Sequence, residues 1–435
     1  MQEKTSRTLV QGNVQRSAVA SRKSDITGQI TQSSGVGHDS SVIRHQAVSV
    51  ALLTGGGDKP YALGMAAALT SEGLSIDFIG SDDLNVPEVV TNPRVNFLNL
   101  RGDQRSEASS MAKVYRVSKY YFRLISYAAT AKPKLFHLLW NNKIELFDRT
   151  VLMLYYKLLG KRVVFTAHNV NAGKRDQNDS WLNRVTLKIQ YSLSDHIFVH
   201  TDGMKNEMIS EFRIPEEKIS VIPFGINNTV PNTSLSSLEA KRQLGISTGD
   251  KSLLFFGNIA PYKGLEYLIA AFGELLKKDH RYCLLIVGMP KRSETYWNEV
   301  RRSIASSIGD RIIQKIEYIP DEETELYFKA ADVLVLPYTR IFQSGVLFLG
   351  YNFGLPAIAA DLGNLKEEII EGQTGLVFKA QDSSDLARKT EDYFSSELFH
   401  NLEARRAQIK EYANERYSWE KVATITTSVY AKMLR

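Results

Sequence analysis

Short apolar runs recur along this chain, separated by stretches in which apolar residues return every three or four positions. In the first half the runs fall at 47–53, 76–79, 95–98, 135–139, 163–166, 196–199 and 219–222, with helical patterns between several of them. The alanine- and leucine-rich 61–69 is one such helix. Unbroken apolar runs bounded by turn residues fit strands buried on both faces. A second alternation predicts strands near 252–256, 282–287, 312–317, 332–336 and 356–360. Helices are predicted between and after them at 264–277, 294–307, 322–330, 345–353 and 384–395. Strands alternating with helices imply parallel sheets covered on both sides.

The pattern also sets boundaries. Residues 1–45 are rich in Ser, Gln, Thr, Gly and Arg and show no period. They bury too little apolar surface to offset ordering entropy and read as a disordered tail. A first Rossmann-like domain is expected over 46–225 and a second over 226–418, joined through Pro223-Phe224-Gly225 and the polar segment that follows. The last segment, 419–435, reads as an amphipathic helix able to cap either half or cross back to the first. The fold class is therefore α/β, with two doubly wound halves, and the 435 residues suit two cores better than one. Ligands of such sheets bind outside the carboxyl ends of the strands.

Composition narrows the picture only a little. Hydrophobic residues at 43% and charged residues at 23% are those of a soluble globular protein. The net charge of +6 favours anionic partners, but mildly over this length. Cys283 is the single cysteine, so no intramolecular disulfide or zinc cluster can form, which fits a reducing, cytoplasmic setting. No apolar run approaches the roughly 18 residues of a membrane span, and no signal core opens the chain.

Charge distribution says more than its total. No acidic residue lies between Glu107 and Glu145, whereas Lys113, Arg116, Lys119, Arg123, Lys132, Lys134 and Lys143 do. Tyr115, Tyr120, Tyr121, Phe122 and Leu124 interleave with them. This suits an anionic membrane surface, met through 113–134 by a protein peripheral to the inner face, or a lipid-linked pyrophosphate acceptor. A helix with one core face and one solvated face is the plainer alternative. No nucleic-acid-binding module is visible, so nucleic acid is not expected as a partner.

Two segments carry candidate chemistry. In LLFFGNIAPYKGL, residues 253–265, an apolar strand ends at Gly257, and Lys263 precedes Gly264 at a helix start. Such a loop offers backbone N–H groups, a positive dipole end and a full charge, the layout for a phosphate or diphosphate. A connector with a solvated lysine has the same pattern. The second segment runs from Ala331 through a buried strand to a loop holding Arg340, then Gln343, Ser344 and Gly345 at a helix start. Small residues with uncapped amides admit a phosphate closely, and Arg340 adds a bidentate contact. The alternative there is an ordinary helix cap beside a surface arginine.

Taken in order, these landmarks resemble the retaining glycosyltransferases of the GT-B fold, of the family four type. The GNIAPYKG loop, IVGMP, the strand ending LVLPY, QSGVL, GLPAIA and GNLKEEIIEGQTGLVF carry the resemblance over 250–380. It is weaker over 46–225, through Gly55–Gly57, FTAHNV around His168 and VIPFGI. The resemblance implies a carboxyl-terminal domain that holds a nucleotide-sugar donor and an amino-terminal acceptor-side domain. It makes Lys263 the diphosphate partner, and adds Gly56, Gly57, Gly257, Asn258, Gly264, Arg340, Gln343, Ser344, Gly345 and Glu367 as donor-binding residues. It places His168 at the donor sugar, as a catalytic residue with Lys263. The reaction implied is sugar transfer to an acceptor hydroxyl of a glycan, glycolipid or lipid-linked intermediate, with retention and front-face attack.

The sequence departs from the family at two places. Asn258 stands where an arginine is usual. Leu349 and the region 341–343 stand where many members place two glutamates eight positions apart, one for the ribose and one for the sugar. Another GT-B member, such as an inverting transferase or nucleotide-sugar epimerase, and a catalytically weak nucleotide-sugar-binding protein are the rival readings. Asp82-Asp83 reads as a solvated turn, so no metal is expected, and no cofactor beyond the nucleotide-sugar, which is a substrate. His137 also ends a strand, with Trp140 and Asn141 beyond it.

Overall fold

All seven apolar runs of the first half pair, side by side and parallel. The computed structural model describes residues 49–104, 109–175, 178–226, 230–290, 293–304, 306–341, 344–363 and 365–435. The tail expected over 1–45 lies outside these residues, as does Gln343. The strands β1 (Ser49–Leu53), β2 (Ser75–Gly80), β3 (Val95–Asn99), β4 (Leu135–Leu138), β5 (Arg162–Ala167), β6 (His196–Val199) and β7 (Ile219–Val221) form one sheet in the order β3-β2-β1-β4-β5-β6-β7. In the second half β8 (Lys251–Phe256), β9 (Tyr282–Val287), β10 (Ile312–Lys315), β11 (Val333–Leu336), β12 (Ala357–Ala360) and β13 (Gly375–Phe378) form another, in the order β10-β9-β8-β11-β12-β13.

Both sheets are parallel throughout, as unbroken apolar runs require. β13 is absent from the sequence reading because Leu376 and Val377 are only half-buried on this edge strand, so its apolar signal is short. The helix predicted over 294–307 ends instead at Ser303, and a separate turn, Ser306–Gly309, follows. The polar segment after Ile226 contains a helix, Ser237–Gln243, closed by a capping box of Ser236 and Glu239.

The last helix, Trp419–Leu434, packs on the first half. Its indole donates from Nε1 to the Ile226 carbonyl at 2.9 Å. The same ring fills the space where a Cβ on Gly64 would come within 2.1 Å. Further along, the Tyr430 hydroxyl meets Nδ1 of the buried His137, whose Nε2 meets Thr166 Oγ1 at 2.7 Å. Both ring nitrogens of His137 are thus occupied in tying this helix to the sheet, and burial depresses its pKa to about 3. His137 is a structural residue.

Candidate functional site

Strand order reverses between β1 and β4 in the first sheet and between β8 and β11 in the second. At such points successive connections leave in opposite directions and open a crevice at the strand ends. The loops following β1, β5, β7, β8 and β11 reach one cleft of about 310 Å3. Tyr262, Lys263, Ile341, Ser344, Gly345 and Leu349 line it from the second half, and Asp58, Tyr61, Asn169 and Phe224 from the first.

Lys263 closes a short turn, Pro261–Lys263, and Gly264 follows at φ +63°. A Cβ on Gly264 would lie 2.0 Å from the Pro337 carbonyl oxygen, so the chain passes β11 this closely only with glycine. Gly288 does the same after β9, where a Cβ would come within 1.8 Å of the Gly257 carbonyl oxygen, and Gly257 itself takes φ +101°. These two contacts fix the loop that carries Lys263. The lysine is only 5% exposed. Its ammonium group donates to the Tyr338 hydroxyl and lies 4.0 Å from the centroid of that ring.

The Tyr338 hydroxyl also meets Ser344 Oγ at 3.0 Å, linking Lys263 to the start of the helix Gly345–Asn352. Ser344 therefore turns its hydroxyl to Tyr338 and not onto the helix it precedes. The helix Leu265–Lys278 differs: it begins at Gly264, and its first amide, that of Leu265, donates to the Tyr296 hydroxyl at 3.0 Å. Lys263 and one helix start without a side-chain cap, that of Gly345–Asn352, thus line the same cleft, and both favour a negative group.

The first half contributes an aromatic cluster centred on Tyr61. His168, Phe224 and Trp419 surround its ring at centroid distances of 4.7, 5.3 and 5.2 Å. His168 stacks flat on Trp140 at 4.0 Å, and its Nδ1 meets His200 Nε2 at 3.0 Å. His200 Nδ1 in turn faces the Ile222 carbonyl, which can only accept. The proton order follows: His200 donates from Nδ1, its Nε2 accepts from His168 Nδ1, and His168 Nε2 carries a lone pair. That nitrogen is shielded from water and meets no partner in hydrogen-bonding geometry. Burial, and secondarily His200, holds the His168 pKa well below the usual imidazole range, so the ring is a neutral acceptor. Burial likewise depresses His200 to about 4.

Among the sequence-derived residues, Lys263, Ser344 and Gly345 line the cleft, while Gly257 and Gly264 shape the loop that carries Lys263. His168 stands behind Tyr61 and beside Asn169, one layer from the cleft wall. Gly56 and Gly57 precede the cleft residue Asp58, and Arg101 and Trp140 occupy the space where their Cβ atoms would be. Asn258, Arg340 and Glu367 are exposed and are not among the residues that line the cleft. The next residue, Glu368, is the buried one, its pKa raised by burial to about 7. Leu349, and Ile341 at one end of the region 341–343, where the resemblance puts acidic residues, both line the cleft. Among the described residues no group of His, Cys, Asp and Glu is arranged to hold a metal ion.

Sequence reasoning missed Tyr338, Tyr262, His200, Tyr61 and Asp58. The aromatic ones read as core, and no local pattern separates a core tyrosine from one that holds a lysine. Asp58 had a signal: it precedes Pro60 at a helix start, and its carboxylate accepts from the Tyr61 amide at 2.9 Å as an N-cap.

Two family profiles match the chain, "Glycosyltransferase Family 4" over residues 55–229 and "Glycosyl transferases group 1" over 250–396, together most of its length. The D-inositol 3-phosphate glycosyltransferase of Corynebacterium efficiens is 26% identical over 281 residues, which cover 62% of this chain and 65% of that protein. The chain thus spans just under two thirds of this relative's length. Sucrose-phosphate synthase from Thermosynechococcus elongatus superposes with a TM-score of 0.70 at 19% identity, over 89% of this chain and 99% of that one. Anabaena HepE, solved with UDP and glucose, gives 0.67 at 15% identity, over 88% and 100%. The two parallel sheets, the paired switch points and both profile matches agree: the chain belongs to the family four type of GT-B glycosyltransferases.

Proposed function

We propose that this protein transfers a sugar from a nucleotide-sugar donor to an acceptor hydroxyl, with retention of configuration. The observation that carries the proposal is the convergence of Lys263 with the start of the helix Gly345–Asn352 at one cleft. A departing nucleoside diphosphate needs positive potential that is already in place as the glycosidic bond breaks. Lys263, held on Tyr338, and the dipole of the helix Gly345–Asn352 supply it without rearrangement. His168, one layer behind the cleft wall, would support Tyr61, which lines the cleft in front of it. Asp58, a carboxylate that lines the cleft from the first half, is committed to capping its helix, and no enzyme nucleophile is assigned. Retention rests on family membership and means attack by the acceptor from the face the diphosphate leaves. Neither a metal nor a cofactor enters this reading. The acceptor belongs to the glycan, glycolipid or lipid-linked class.

One observation favours a second reading, a nucleotide-sugar-binding protein of low activity: Ile341 and Leu349 place apolar side chains in the cleft where family members use carboxylates. Thermal shift across UDP-, GDP- and ADP-sugars identifies the donor, because a ligand that binds the native state raises the melting temperature. Release of labelled sugar from that donor, with or without acceptor, then separates enzyme from binder. Stabilisation by a donor that never turns over would leave only the second reading; no stabilisation by any would remove both.

A further inference from the structure

One side of the first half carries more apolar surface than its core uses. The helix Ser110–Thr130 buries Tyr120, Tyr121, Leu124 and Ala128. Its opposite side holds Met111, Tyr115 and Phe122, which fall on one stripe at offsets of four and eleven. Met111 is 83% exposed and Phe122 72%. A helix face turned to water is ordinarily polar, and this one is not.

The neighbouring helices repeat the feature. In the stretch 145–158, Val151, Leu154 and Leu158 are exposed at helical spacing, Leu158 by 85%. The helix Trp181–Leu193 starts with Trp181, 77% exposed, and Leu182. Side-chain bonds join the three: Tyr121 to Asp148, Tyr155 to the Ile125 carbonyl, and Arg149 to Asn183. All three bury their inner sides in the same core layer, so their outer sides make one surface. Single exposed apolar side chains are normal on a monomer, but their recurrence on three adjoining helices points to an interaction site.

Charge selects the partner. Lys113, Lys119 and Arg123 are exposed on the flank of the first helix, and Lys119 sits 5.7 Å from the Tyr115 ring centroid. The acidic Glu145 in this region is paired to Arg149 at 2.6 Å. A second copy of the chain would bring two basic surfaces together, which like-charge repulsion opposes. A lipid bilayer with anionic headgroups satisfies both features at once, apolar side chains entering the acyl boundary and cations meeting phosphates. Among the described residues no helix is long and apolar enough to cross a membrane, so contact is made at the surface.

We propose that this three-helix face docks on an anionic bilayer, with Met111, Phe122, Leu158 and Trp181 entering the interface and Lys113, Lys119 and Arg123 meeting lipid phosphates. The proposal stands apart from sugar transfer and is tested without it. The full chain is floated with phosphatidylcholine vesicles, with or without phosphatidylglycerol. Recovery is expected only with the anionic vesicles, falling as salt shortens the screening length. Each cation is expected to strengthen partitioning about fivefold, so changing Lys113, Lys119 and Arg123 to Gln weakens it by about a hundredfold. A second variant, Met111→Ser, Phe122→Ser and Leu158→Ser, changes only exposed side chains; it is expected to keep the melting temperature and lose most vesicle binding. No recovery of the wild type, equal recovery with neutral vesicles, or unchanged binding of either variant overturns the proposal. So does a dimer in analytical ultracentrifugation that the serine variant abolishes, since the face would then be a contact between copies.

Discussion

Replacing Lys263 by methionine separates two reasons for a lysine at this position. Methionine keeps the length of the stem, which is almost fully buried, and deletes the cation that sits against Tyr338. If that cation holds a diphosphate, the variant loses a charge-assisted hydrogen bond worth about 1.5–3 kcal/mol. The dissociation constant of the nucleoside diphosphate should then rise about 10- to 150-fold. Stability should change little. The Tyr338 hydroxyl retains Ser344 Oγ at 3.0 Å as a partner, so it is not left unsatisfied. Removing a charge from a desolvated position also offsets part of any lost contact. If the lysine instead serves only to brace Tyr338 and Ser344, the pattern reverses, with unchanged affinity and a loss of about 1–3 kcal/mol in stability. Isothermal titration with UDP, GDP and ADP gives the first quantity, and urea denaturation the second. Unchanged nucleotide affinity in a destabilised variant would refute the diphosphate assignment.

Acid should unfold the first half through its buried histidines. His137, His196 and His200 have folded pKa values depressed by burial to about 3, 4 and 4. A depressed value contributes stability that is present above the unfolded pKa of about 6.5 and lost below it, so each should cost about 2 kcal/mol between about pH 7 and about pH 5. Glu368, raised to about 7, has the opposite sign and returns about 2 kcal/mol over the same interval. Burial holds His168 low as well, so a net loss of stability toward acid is expected; urea titration at the two pH values reads it, and equal midpoints would contradict it. Gly264→Ala should destabilise by about 1–3 kcal/mol or more, because φ is +63° and the new methyl meets the Pro337 carbonyl. A melting temperature equal to that of the wild type would mean the turn relaxes. Tyr430→Phe leaves His137 Nδ1 without its partner and should cost about 1–3 kcal/mol, measured by calorimetry. No change would show that a water replaces the hydroxyl.

The sequence by itself determined the first sheet, five of the six strands of the second and the loop that carries Lys263. Runs such as 253–256 and 333–336 are apolar without alternation, and only a strand covered on both faces uses such a run, so local pattern and tertiary burial coincide. The glycines at 257 and 264 were legible as turn residues, and both take a positive φ, +101° and +63°, that favours glycine. Tertiary structure alone decided what local pattern does not encode. A tyrosine at 338 has the same signature whether it fills a core or holds a lysine 75 positions away. The proton order from His200 to His168 depends on a carbonyl brought in from the end of β7. The last helix was amphipathic on either reading, and its placement on the first half came from Trp419 over Gly64 and Tyr430 against His137. The spacing of Lys113, Arg116, Lys119 and Arg123 showed that they share a side of one helix. That the adjoining stripe of Met111, Tyr115 and Phe122 faces water, beside exposed residues of two more helices, emerged only once the other side was seen packed, because periodicity gives the angle between residues and packing alone decides which angle points inward.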